Sequence, residues 1–218
     1  MHIPLTIDQF FGVIRQYNIA VWPTQVLLLA IALLAVYLAV RPHRHSGVVI
    51  SAILGFLWLW TGLAYHLAFF AAVNPLAYAF AAASVVGASV FIRQGVIQRR
   101  LRFHATVGAW PMLGMGLIVL ALAVYPAWSI VAGHRYPELP TFGLPCPTAL
   151  FTVGMLSLLT APYPRAPLAV PVAWCFVGAQ AALFFDVPPD LTLLAAAAVG
   201  IALILRARPL HWTKAPLK

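Results

Sequence analysis

Long apolar stretches, broken by short polar or basic clusters, run the length of this chain. A helix needs about 20 apolar residues to cross roughly 30 Å of hydrocarbon. On that measure the pattern predicts seven spans: Pro23 to Val40, Val48 to Ala71, Pro75 to Ile92, Thr106 to Val131, Thr148 to Ala161, Leu168 to Phe185 and Leu191 to Leu205. The fold class expected is all-α, a polytopic membrane helix bundle forming one integral-membrane domain over residues 1–218. The fifth segment is the shortest. Pro145-Cys146-Pro147 precede it and Pro162 and Pro164 stop it, which leaves open whether it crosses fully. The fourth carries Pro111 and Pro126, which should kink it.

Before the first span, Ile7, Phe10, Phe11 and Ile14 recur at helical spacing, with Asp8, Gln9, Arg15 and Gln16 on the opposite face. This predicts a short amphipathic helix over Leu5 to Tyr17, lying at the outer membrane interface. Thr6 followed three residues later by Gln9 reads as a capping box. No basic n-region or cleavage site marks a signal peptide, so the spans themselves should direct insertion. No internal repeat is evident.

Composition and charge sharpen this picture. Hydrophobic residues make up 63% of the 218 and charged residues 8%, against roughly 25% charged in a soluble domain. Lipid is the expected solvent. The net charge of +9 does not indicate nucleic acid, because the basic residues sit in short runs between apolar segments. With the C-terminus in the cytoplasm, the inner loops hold Arg41, Arg44, Arg93, Arg99, Arg100, Arg102, Arg165, Arg206, Arg208, Lys214 and Lys218. The outer set keeps Arg15 and Arg135 and all four acids, Asp8, Glu138, Asp186 and Asp190. The positive-inside rule therefore predicts seven spans in a bacterial inner membrane, N-terminus outside, with the anionic inner leaflet as a partner.

Polar side chains inside lipid are rare and tend to mark function. In the outer half stand Gln25, Tyr65, His66, Asn74, Tyr125, Thr148, Thr152 and Gln180, with His134 and Cys146 in the adjoining loop. The inner half offers Ser51, Ser84, Ser89, Ser157 and Thr160, hydroxyls able to bond their own helix. Any site should open outward. The ligand pocket predicted is Tyr65, His66, Asn74, Tyr125, His134, Thr148 and Thr152.

Trp58, Gly62, Tyr65, His66 and Phe69 form one helical stripe, and His66 lies about 7 to 8 Å deep by helical rise. It is either hydrogen-bonded within the bundle or a ligand to metal, haem or substrate. The loop from Gly133 to Thr148 is stiffened by Pro137, Pro140, Pro145 and Pro147 and holds a His, an acid and a Cys. Pro147 suits the first helical position, which would place Cys146 at the N-cap of span five and favour its thiolate. The plain alternative for Cys146 is a small cap residue.

His66, His134 and Cys146 together suit zinc with an open position, or copper. The two histidines alone could instead hold haem iron. His43, His45, His104 and His211 lie towards the inner side, and Cys175 reads as an inert core thiol. Two cysteines without a C-x-x-C exclude a disulfide scaffold and a four-cysteine zinc site. No Lys lies in a span, which excludes a retinal Schiff base; no acid lies deep in one, and no Walker motif is present.

Tyr17-Asn18, Val21-Trp22-Pro23, Trp60-x-Gly62-x-x-Tyr65-His66, Asn74-Pro75, Gly133-His134-x-Tyr136-Pro137 and Phe142-Gly143-x-Pro145-Cys146-Pro147-Thr148 resemble a family of small bacterial multi-span proteins known only as a domain of unknown function. The likeness covers roughly residues 10 to 160. It implies a shared membrane fold and a shared outer-side constellation, with no substrate or cofactor.

Three readings stay open at this point. The first is a membrane protein whose outward pocket binds or transports a small ligand or metal ion. The second is a membrane-embedded enzyme using a metal or haem, acting on lipid or quinone. The third is a structural or assembly partner.

Overall fold

A computed structural model describes residues 5–207. Among them the chain forms eight helical runs. These are α1 (Ile7–Val21), α2 (Thr24–Val40), α3 (Ser46–Ala72), α4 (Ala77–Ile97), α5 (Ala109–Val131), α6 (Pro145–Leu156), α7 (Ala166–Phe184) and α8 (Pro188–Arg206). The predicted all-α class is observed. The basic residues Arg208, Lys214 and Lys218, and His211, lie outside the described residues.

Five runs, α3, α4, α5, α7 and α8, are long and apolar enough to cross a membrane. α1 and α2 meet at 85° and would add a sixth if counted as one broken span. The sequence pattern asked for seven, and the difference lies in two short helices. α2 has 17 residues. α6 has 12, about 18 Å at the helical rise.

α6 is short because it is a central element, wrapped by the others rather than by solvent or lipid. Apart from Cys146, every one of its residues is buried, as expected of a helix that is apolar all round. Where it ends, backbone pairing takes over: His104 N–H donates to Leu158 O and Thr160 N–H to Arg102 O, both at 2.9 Å. Glycines let it sit close to α5. A Cβ on Gly114 would lie 2.6 Å from the Gly154 carbonyl, and one on Gly154 would lie 2.9 Å from the Gly114 carbonyl. Such small-residue contacts are how helices approach when lipid removes any hydrophobic drive between them.

Leu54, Leu57, Trp58, Phe91, Leu150 and Phe151 fill the core. Outside, Leu27, Leu33, Leu63, Val86 and Met112 are exposed. An exterior this apolar suits lipid. Four of the five inner-half hydroxyls behave as expected, Ser51, Ser84, Ser89 and Ser157 each donating to the carbonyl four residues back, while Thr160, beyond the end of α6, donates to Arg102 O instead.

α1 starts on the predicted capping box, with Gln9 N–H donating to Thr6 Oγ1 at 3.2 Å and Thr6 N–H to Gln9 Oε1 at 3.1 Å. It runs to Val21, beyond the expected Tyr17. Its apolar face, Phe11, Ile14 and Tyr17, packs within the protein against Tyr65, Phe70 and Leu144.

Three runs contain a π-helical turn: Thr61–Leu67 in α3, Ile92–Ile97 in α4 and Leu120–Val124 in α5. The Leu63 carbonyl accepts from Ala68 N–H at 3.2 Å, five residues on. π-helix is rare and gathers at functional positions. Here the turn in α3 contains Tyr65 and His66, and the one in α5 ends immediately before Tyr125.

Candidate functional site

The segment joining α5 to α6 is held down by a buried polar cluster. Asn18 on α1 donates from its amide to Pro137 O at 2.6 Å and Leu139 O at 2.8 Å. Its own amide oxygen accepts from Gln25 at 2.6 Å and from the Thr141 hydroxyl at 2.8 Å. Nearby, the Trp60 indole donates to the Tyr17 hydroxyl at 2.7 Å. A buried Asn or Gln is costly unless its amide is satisfied, so these bonds fix where the loop lies. Gly143, at φ +102°, turns the chain where a side chain would meet Leu28 and the Tyr17 hydroxyl.

The pinned loop forms one wall of a cavity of about 260 Å³. The other walls come from α1, the end of α3, the start of α6, and parts of α4, α5, α7 and α8. Phe10, Ile14, Phe70, Phe80, Leu144 and Phe184 make it largely apolar, while Leu76 and Phe184, both exposed, stand at its rim.

A few polar groups converge on it. His66 is fully buried, and neither ring nitrogen has a hydrogen-bond partner. Aromatic rings surround it: Trp174 at 5.0 Å, Tyr65 at 5.2 Å and Phe80 at 5.6 Å between centroids. A buried polar group left unmet costs about 1–3 kcal/mol. Neutral imidazole carries one donor and one acceptor, so His66 presents unused capacity of both kinds. The Trp174 indole N–H is also unpartnered.

Also lining the cavity, the Tyr125 hydroxyl donates to Asp190 Oδ1 at 2.6 Å, with both residues buried. The Cys146 thiol sits close to that carboxyl. Gly178 makes room for this group, because a Cβ there would lie 3.0 Å from Cys146 Sγ and 3.3 Å from Trp174 Nε1.

Tyr65, His66, Asn74 and Tyr125 of the predicted pocket all line the cavity, as do Cys146 and Gln180. His134, Thr148 and Thr152 do not. Thr148 and Thr152 are buried on α6; Thr152 accepts from the Trp58 indole at 3.1 Å and donates to Thr148 O at 2.7 Å. His134 stacks on Phe11 at 4.2 Å between centroids, and its Nε2 lies 2.8 Å from Asp186 O. The expected trio of His66, His134 and Cys146 therefore does not come together: among the described residues no three His, Cys, Asp or Glu side chains group as metal ligands. Cys146 is not the N-cap either. Leu144 takes that place and Pro145 the first helical position, so the thiol falls on the second residue of α6. Its polar neighbours are a carboxyl and an indole, and no Lys or Arg lines the cavity.

Sequence reasoning missed Asp190 and Trp174. Asp190 counted only as an outer-loop acid, although a carboxylate directly against the start of an apolar run is itself a signal. Trp174 had none, since its neighbours are uniformly apolar.

These features define a multi-helix protein of membrane character with an aromatic-walled cavity at the end that carries Asp186 and Asp190. The chain belongs to a family of unknown function, DUF6064, whose model matches residues 7–213. That match reaches past the motif-bearing part and takes in the helices that supply Trp174 and Asp190. No curated protein and no solved structure matches the chain.

Proposed function

We propose that this protein binds a small molecule with an apolar body and a hydrogen-bonding end, taken up from the outer leaflet of the membrane. The observation that carries the reading is His66: wholly buried, on a cavity wall, with both nitrogens unmet. Enclosed, mostly apolar sites with a few convergent polar groups are the usual form of small-molecule sites. The exposed apolar rim of Leu76 and Phe184 favours entry from lipid over entry from water. Binding is preferred to transport because Leu54, Leu57, Leu150 and Phe151 fill the bundle below the cavity with apolar side chains.

The topology belongs to the same proposal. Seven passes, N-terminus outside and C-terminus in the cytoplasm, put the cavity at the outer face. The support is that α2 and α6, though short, each link the two ends. Gln25 joins the Asn18 cluster while Ala39 O accepts from Ala105 N–H. Cys146 lines the cavity while Thr160 bonds Arg102.

The test is solvent extraction of protein purified in mild detergent, followed by mass spectrometry of what is released. Wild type should yield one molecular class enriched over the bulk membrane extract. His66→Leu, which removes the polar contact, and Ala181→Trp, which narrows the rim, should both lose it. Equal extracts from all three proteins would refute the proposal.

A further inference from the structure

At the opposite end of the bundle lies a second concavity, of about 420 Å³. Arg44, Arg99 and Arg102 line it, together with His43, His45 and His104. Among the described residues no carboxylate lines it, and the four acids stand elsewhere: Asp8 in the first turn of α1, Glu138 near Arg15, Asp186 near His134 and Asp190 on the other cavity.

The recess is held in shape by the backbone. Ala105 N–H donates to Ala39 O, His104 N–H to Leu158 O and Thr160 N–H to Arg102 O, each at 2.9 Å. Gly47 allows the segment carrying Arg99 and Arg102 to press on the first turn of α3, since a Cβ there would collide with the Leu101 carbonyl. Arg99 turns the chain at φ 52°, a conformation that non-glycine residues rarely adopt. Ser46 and Gly47, at the start of α3, also line the wall, and that helix end has no side-chain cap. Its N–H groups and dipole add positive potential.

A bias of basic residues towards one end is what membrane orientation requires. Orientation depends on how many charges lie there; it does not require three guanidiniums and three imidazoles around one shaped recess. Like charges gathered this way repel one another unless an anion joins them. Guanidinium forks match tetrahedral oxyanions in paired hydrogen bonds, and imidazoles and backbone N–H groups can meet the remaining oxygens.

We propose that this recess binds a phosphate group, carried by an anionic lipid headgroup or by a soluble phosphate. It stands independently of the outer cavity.

The test uses the full chain in a neutral detergent, titrated calorimetrically with dioctanoyl phosphatidylglycerol in one arm and inorganic phosphate in the other. Arg44→Gln/Arg102→Gln should weaken binding at least about tenfold, the loss of one or more charge-assisted hydrogen bonds. Arg41→Gln/Arg93→Gln removes the same charge from exposed arginines that do not line the recess, and should cost less than about threefold. The single variant Arg99→Gln, scored the same way, serves if the first double fails to fold. Saturable binding of the lipid alone identifies a headgroup, and binding of phosphate alone a soluble ligand. Absence of saturable binding in both arms, or equal losses in both double variants, overturns the proposal.

Discussion

At the scale of single residues, Tyr125 and Asp190 make the strongest claim on stability and His66 the strongest on function. The Tyr125 hydroxyl is the partner that makes a buried Asp190 tolerable. Tyr125→Phe should lower stability by about 1–3 kcal/mol, read as a fall in melting temperature in detergent. An unchanged melting temperature would mean the carboxyl has another partner. His66→Leu should show a sign that depends on the ligand. In protein stripped of bound molecules it removes two unmet polar atoms, so stability should hold or rise. In freshly extracted protein it should fall, because a bound ligand stabilises by mass action. The same sign in both preparations would argue that His66 has only a structural part.

At the scale of elements, the close pass of α5 and α6 through Gly114 and Gly154 is the least forgiving packing. Gly154→Ala should destabilise markedly, and the double variant with Gly114→Ala should depart from additivity, since each new methyl addresses the other residue's backbone. Thermal unfolding of the two singles and the double checks this. Much of the helical plan was legible in the sequence, because lipid demands long apolar runs and Pro or basic clusters end them. The capping box at Thr6 and Gln9 was readable for the same local reason. The length of α6 was less so: a helix buried on every side reads like a span, and only its packing shows that coil completes its path. The site was half legible. Tyr65, His66, Asn74 and Tyr125 stood out as polar groups in apolar runs. Thr148 and Thr152 stood out equally but lie buried on α6 and do not line the cavity, Thr148 with an unpartnered hydroxyl and Thr152 bonded to Trp58 and to Thr148 O, and no spacing distinguishes the two cases. His134 was drawn in by its place in the proline-stiffened outer loop, yet it helps hold that loop: Pro137 O receives the Asn18 amide, and the histidine ring rests on Phe11.

At the scale of the whole molecule, two ends of opposite chemistry face apart: a largely apolar cavity with a buried acid at one, and an arginine-lined recess at the other. In the proposed orientation, a membrane-impermeant maleimide added to spheroplasts should label Cys146 on the cavity wall and leave the fully buried Cys175 untouched. Labelling of Cys175 alone would contradict that topology. The most direct measurement is an experimental structure of the protein in lipid, at a resolution that separates solvent from ligand. The proposed function predicts a non-protein molecule in the cavity with a polar atom within about 3.2 Å of a His66 nitrogen. A cavity holding only ordered water, or a His66 whose nitrogens are bonded to the protein itself, would contradict it.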